Sequence, residues 1–167
     1  EIAGYFGQRP SPVRFGATGQ ILSAVTLGRF TASVAGLAGR AGAPALKATA
    51  IAGGALASAS LAASAAHAVA LARDPHGERA VARHRRMFLA GGLAHGVGFG
   101  GLLASLGVAG LRTEELPRPI AIAAVATAVP NLLSPLYLVA EPAGWLIPIG
   151  RFPGLVVMGA VGDRLAR

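Results

Sequence analysis

The chain of 167 residues contains no cysteine. That excludes a disulfide framework, a thiolate metal site and a cysteine nucleophile. Aromatic residues are scarce, six Phe, two Tyr and one Trp, too few to build a platform that stacks nucleic-acid bases. Charged residues make up 13% of the chain, about half the usual share of a soluble domain. No carboxylate pair lies inside the apolar runs, so a proton relay there is excluded. No serine, histidine and acid trio is placed for acyl transfer, and no His-Glu-x-x-His occurs. The stretch "GVGFGG" at 96–101 has the glycines of a nucleotide loop. No strand precedes it and no P-loop lysine follows, so phosphate binding is not its use.

What is present is oil. Hydrophobic residues make up 53% of the chain, and the mean hydropathy is positive. The formal net charge is +8, yet most basic residues sit in short connectors between apolar runs. That placement fits the positive-inside bias of membrane proteins better than a nucleic-acid face.

A helix needs about 20 mostly apolar residues to cross a hydrocarbon core about 30 Å thick. Ala48–Ala72, Met87–Leu111 and Pro119–Ala140 meet that length without a formal charge. Phe15–Gly39 is a fourth candidate, interrupted by Gln20 and Arg29. A fifth segment, Ala143–Gly162, carries Pro148, Arg151, Pro153 and Gly154 in its middle. The expectation is an all-α, polytopic integral membrane bundle forming one transmembrane domain over 1–167. Four spans are favoured within a range of three to five. The C-terminal segment is expected to be re-entrant or interfacial, bending at "IGRFPG", 149–154. The chain starts at Glu1 without an initiator methionine, so a further N-terminal segment is expected upstream.

The connector Arg73–Arg86 holds five of the fifteen basic residues against Asp74 and Glu78. It is placed in the cytoplasm on that bias, and with His76 and His84 it can attract anionic lipid. The connector Arg112–Arg118 balances two arginines with two glutamates and falls on the other side. The alanine- and glycine-rich usage resembles that of membrane proteins from high-GC bacteria, so a bacterial cytoplasmic membrane is the expected location.

Small residues dominate the helices. Gly92, Gly96 and Gly100 recur at four-residue spacing and continue to Ala104, the small-xxx-small pattern of close helix crossings. Ala48–Ala72 offers an Ala/Ser face around Ser60 and Ser64. These faces predict helix packing, either within the chain, against other membrane-protein subunits or in a homo-oligomer.

The residues able to carry chemistry are few. His67 and His95 lie roughly 9 and 13 Å in from the same connector on antiparallel helices, so their imidazoles approach one depth. Neutral imidazoles from neighbouring helices can hold a b-type haem, with Gly91, Gly92, Gly96 and Gly98 clearing space. The plainer use is a hydrogen bond to a carbonyl or serine of the next helix. Arg29 sits near the middle of its segment, where an arginine costs at least about 2.5–3.5 kcal/mol on insertion scales. No carboxylate of the other spans neutralises it. Pro130, Asn131 and Pro135 interrupt the fourth span, as kinks or as the lining of a path. Glu141 and Arg151 are placed to pair across the re-entrant turn.

The function read from these features is a small non-catalytic membrane subunit, accessory to a larger complex or to copies of itself. Its partners are the lipid bilayer and other helices, not nucleic acid. Two alternatives stand beside it. One is an electron-transfer subunit with haem b on His67 and His95. The other is a small transporter or channel using Arg29 and Asn131.

Overall fold

The computed structural model describes residues 4, 6–7 and 10–165, and these are all-helical, with no strand among them. Six helices carry the fold: α1 (Pro10–Arg40), α2 (Pro44–Arg73), α3 (Ala80–Phe88), α4 (His95–Thr113), α5 (Arg118–Leu133) and α6 (Leu146–Leu165). A π-turn, Leu89–Ala94, joins α3 to α4 without a break, and two 3₁₀ turns, Ser134–Leu138 and Glu141–Trp145, lead from α5 to α6. Five helices are long and apolar enough to cross a membrane: Ser11–Arg40, Pro44–Arg73, Ala80–Thr113, Arg118–Leu138 and Glu141–Gly162.

The helix ends follow from local chemistry. Gly42, at φ 63°, terminates α1. The Ala43 N–H donates to Ala38 O at 3.2 Å and the Gly42 N–H to Gly39 O at 3.0 Å. That is the double bond of a Schellman ending, which needs a left-handed residue that glycine adopts without a Cβ penalty. Pro44 then opens α2, where its missing N–H leaves no bond unmade. Arg40 on this turn forms a two-bond pair with Glu115 on the α4–α5 loop, Nε and Nη2 each 2.8 Å from a carboxylate oxygen. The guanidinium holds the Glu115 carboxyl below the usual carboxylate range.

Glycine decides which helices touch backbone to backbone. α2 and α4 run antiparallel and meet at Gly53 and Gly98. A Cβ at Gly98 would lie 2.6 Å from Gly53 O and 2.6 Å from Ala57 N. The opposite face of α4 carries Gly96, Gly100 and Gly107 against α5, where a Cβ at Gly100 would lie 3.1 Å from Ala128 O. α4 is thus the central helix, and Phe99, Leu102, Leu103 and Leu106 on it are almost wholly buried. The Gly92/Gly96/Gly100 row and the serines at 60 and 64 are covered by this chain itself. Ser60 and Ser64 are buried, Gly96 faces Ser134, and Gly92 is in ordinary contact with Ile147 and Phe88. They do not form an outward docking surface.

The C-terminal segment differs from expectation. "IGRFPG" does not turn back, because residues 146–165 form one helix that passes through Pro153. Gly150 and Gly154 let α6 lie close on Asn131 of α5 and on Phe99 of α4. Contact with α4 and α5 holds the helix on course where an isolated sequence would bend. α6 runs parallel to α4, from Ile147 beside Gly92 to Gly154 beside Phe99. The described ends of the chain therefore lie at opposite ends of the bundle.

Three outcomes check this architecture. Gly98→Leu is expected to destabilise the fold by about 3 kcal/mol, the upper end of overpacking, read by denaturant unfolding in detergent. Gly19→Ala, where a Cβ meets nothing within 4 Å, should be neutral or stabilising by up to about 1 kcal/mol. The Arg40–Glu115 contribution is present above the ordinary Glu value of 4.5 and is lost as pH falls through the lowered folded value. Glu115→Gln should flatten that part of the acid unfolding profile.

Candidate functional site

A cavity of about 480 Å³ opens sideways between α1 and α6. Its floor is buried: Leu61 of α2 with His95 and Phe99 of α4. Its exposed rim is Gly16, Gly19, Ser23 and Thr26 of α1 and Leu155 of α6. Gln20 and Arg151 line one end, and Leu27 and Met158 line the other. Helical spacing places the α1 residues on one face, since 16, 19, 20, 23, 26 and 27 recur at three and four. The glycines at 16 and 19 leave the rim open, because no atom lies within 4 Å of where their Cβ would be.

His95 is the polar group of the floor. It is 5% exposed. Its Nδ1 is 3.2 Å from Ala57 O. A carbonyl only accepts, so Nδ1 carries the proton in this bond and Nε2 keeps its lone pair. The ring stacks on Phe99, one turn later, with centroids 5.6 Å apart and planes 15° apart. The neutral tautomer is held from both sides.

Arg151 answers a local backbone problem. The π-turn Leu89–Ala94 widens the helix just before His95, and such turns free carbonyls from the α-helical ladder. Arg151 Nη2 donates to Gly91 O and, at 3.5 Å, to Gly92 O. Glycine at both positions keeps side chains from standing between guanidinium and backbone. Gly91 also lets Ser64 approach. Ser64 Oγ accepts a long 3.4 Å contact from Gln20 Nε2. Two atoms of this cluster, Gln20 Oε1 and Arg151 Nε, are buried with no hydrogen-bond partner.

The pairing expected between Glu141 and Arg151 is not made. Glu141 is exposed in the 3₁₀ turn, while Arg151, one helical turn and more along α6, reaches across to α4. The reason is geometric: α6 does not fold back, so the two side chains point to different neighbours.

His67 and His95 are not brought together. His95 lies beside Ala57, ten residues from His67 on α2, about 15 Å along that helix. The matched depth failed because the Gly53–Gly98 contact sets a register that counting inward from the loop does not contain. His67 is half-buried.

Asn131 is 1% exposed and away from the cavity. Its Nδ2 donates to Thr127 O at 2.8 Å. Pro135 has no N–H to return to Asn131 O, and the Ser134 hydroxyl donates to it instead at 2.7 Å. This is the repair of a broken helix end under Gly150 of α6. Arg29, by contrast, is exposed on the outer face of α1. The two residues line no common path.

No protein-family model, curated protein or solved structure matches the chain. The site is therefore read from its own geometry.

Gln20, Gly16 and Gly19 were missed as site residues in the sequence. Their signal is a small and polar row at helical spacing on α1, visible in principle but without a partner until α6 is placed opposite. The site predicts an asymmetry between the two histidines. His95→Ala should destabilise the fold by about 2–4 kcal/mol through a lost ring and an unpaired carbonyl. His67→Ala should lower stability by less than half as much in the same unfolding measurement.

Proposed function

We propose that the protein is a bilayer-embedded, non-catalytic subunit that docks on a different membrane protein through the outer face of α1. The observation that carries this reading is Arg29. Thr31 packs on Gly54 near the middle of α2, so Arg29 lies close to mid-height of the bundle, exposed. The six acidic residues among the described residues lie in loops or near helix ends. The described residues of a second copy bring no mid-height carboxylate either. A charge left in hydrocarbon costs at least about 2.5–3.5 kcal/mol, and a carboxylate on a partner helix removes that cost.

The surface around Arg29 suits a helix. Gly28, Ala32 and Gly36 are all exposed at four-residue spacing, a small-xxx-small row with no helix of this chain on it. A partner backbone can approach there closely enough to bring its carboxylate to the guanidinium. Bilayer embedding itself is supported by a girdle of exposed apolar side chains on α1, α2, α5 and α6, among them Phe15, Ile51, Ile122 and Phe152. Such a surface is unsuited to water. The arginine-rich turn between α2 and α3 supports a cytoplasmic position for that end of the bundle, by the positive-inside bias.

The test is a photo-crosslinking residue at Ala32, with Ile122 on α5 as the control, in native membranes. The expected product is one discrete adduct at Ala32 with a protein other than this chain, absent at Ile122 and weakened about tenfold or more by Arg29→Leu. An adduct of twice the chain's own mass, or lipid adducts alone at Ala32, overturns the reading. Carbonate washing without detergent should leave the chain in the membrane fraction.

A further inference from the structure

The cavity between α1 and α6 is a binding site in its own right, independent of the partner face. We infer that it takes a single-chain amphiphile whose headgroup carries an anionic oxygen, with the tail leaving sideways between α1 and α6.

Four observations converge. First, the size of about 480 Å³ lies within the range of small-molecule sites, roughly 300–1,000 Å³. Second, polarity is graded along it. Gln20 and Arg151 stand level with Ser64 and Gly91 at one end. Leu27, Leu61, Phe99, Leu155 and Met158 dominate the remainder, with Ser23 and Thr26 on the rim and the Thr26 hydroxyl turned back to Leu22 O. Ser64 is nine residues from Arg73, the arginine-rich end of α2, or about 13 Å along the helix. The polar end therefore sits nearest that end of the bundle, and the apolar end runs towards its centre. An amphiphile entering from a leaflet meets the same gradient.

Third, the charge is uncompensated. Arg151 bonds only backbone carbonyls, which are dipoles and leave its full positive charge unbalanced. Its Nε–H has no partner. Nε is sealed off, but Nη1 makes no hydrogen bond and is not sealed, so it is the guanidinium nitrogen that can meet an oxyanion, and charge-assisted bonds of this kind are the strong ones. Fourth, the neighbouring groups complete a headgroup pocket. Gln20 has an unpaired amide oxygen. That oxygen is sealed, so Gln20 walls the headgroup end beside Ser64 rather than bonding the headgroup through it. His95 keeps an Nε2 lone pair for a hydroxyl of the headgroup. An uncharged amphiphile would leave the Arg151 charge unanswered.

The rim explains how the headgroup enters. Gly16 and Gly19, beside Gln20, have open space where side chains would stand, so the wall is missing on the lipid side of α1 at the polar end. The headgroup can pass through that gap from the bilayer, with the tail along the apolar side of the cavity.

The experiment uses the full chain in phosphatidylcholine nanodiscs, with bound molecules read by native mass spectrometry. The probes are oleate, oleoyl lysophosphatidate and oleyl alcohol. The expected result is one retained equivalent of oleate, lysophosphatidate or both, at least about tenfold over oleyl alcohol. Which acid is retained identifies the headgroup as carboxylate or phosphate. Gly19→Phe, whose Cβ meets no atom within 4 Å, sets a ring at the rim and should reduce retention about tenfold while the thermal unfolding midpoint holds. Arg151→Gln should abolish the preference for acid over alcohol. Should that variant fail to fold, because the π-turn carbonyls lose their donor, Gly19→Phe decides alone. Equal retention of oleyl alcohol, no retention of any probe, or undiminished retention in Gly19→Phe overturns the assignment.

Discussion

The backbone contact between α2 and α4 at Gly53 and Gly98 governs the arrangement around it. Two helices approach this closely only where neither has a Cβ, and each glycine here is in reach of the other's backbone oxygen. Once that contact is made, the register of the two helices has no freedom left. Ala57 O falls beside His95, and Ser64 falls beside Gly91. The floor of the cavity and the π-turn above it inherit their positions from this one crossing.

In hydrocarbon every polar group must find a partner inside the protein, and the chain follows this rule almost everywhere. Hydroxyls fold back on their own helices: Thr31 donates to Leu27 O at 2.8 Å and Ser105 to Gly101 O at 2.9 Å. The proline break at the end of α5 is closed by Ser134. The π-turn carbonyls are met by Arg151. Against this background the exceptions stand out. Ser58 Oγ, Gln20 Oε1 and Arg151 Nε are buried without partners, the last two beside the cavity, and Arg29 stands exposed at mid-height. The cavity pair belongs to the proposed ligand and Arg29 to the proposed partner helix. Gln20 and Arg29 lie on different faces of α1, so in these proposals one helix serves two surfaces.

Much of the fold was legible because it depends on quantities a single segment carries. Segment length and apolar content place four of the long helices, with ends off by up to seven residues, while the fifth was expected to be re-entrant or interfacial. Gly42 and Pro44 mark the α1–α2 turn, and Pro119 marks the start of α5. Small residues at four-residue spacing announce close crossings. The site was legible only in part. His95 and Arg151 draw notice as polar groups in oil, but their partners, Ala57 O and the carbonyls of Gly91 and Gly92, are backbone atoms that every residue possesses. No side-chain pattern marks them. Gln20 looked like an interruption of α1 and is a wall of the cavity.

What the amino-acid order alone determined is the length and oiliness of each helix, the places where helices must end, and the shortage of acid near Arg29. These depend on local sterics and transfer free energy, which a segment has by itself. What only the tertiary structure decided is which neighbour each face meets. It set the roughly ten-residue offset that parts His67 from His95. It turned Arg151 to the π-turn and away from Glu141. It carried α6 straight through Pro153. Each of these depends on the rotation and sliding of one helix against another, fixed by backbone contact at glycines, and a helix read alone has neither.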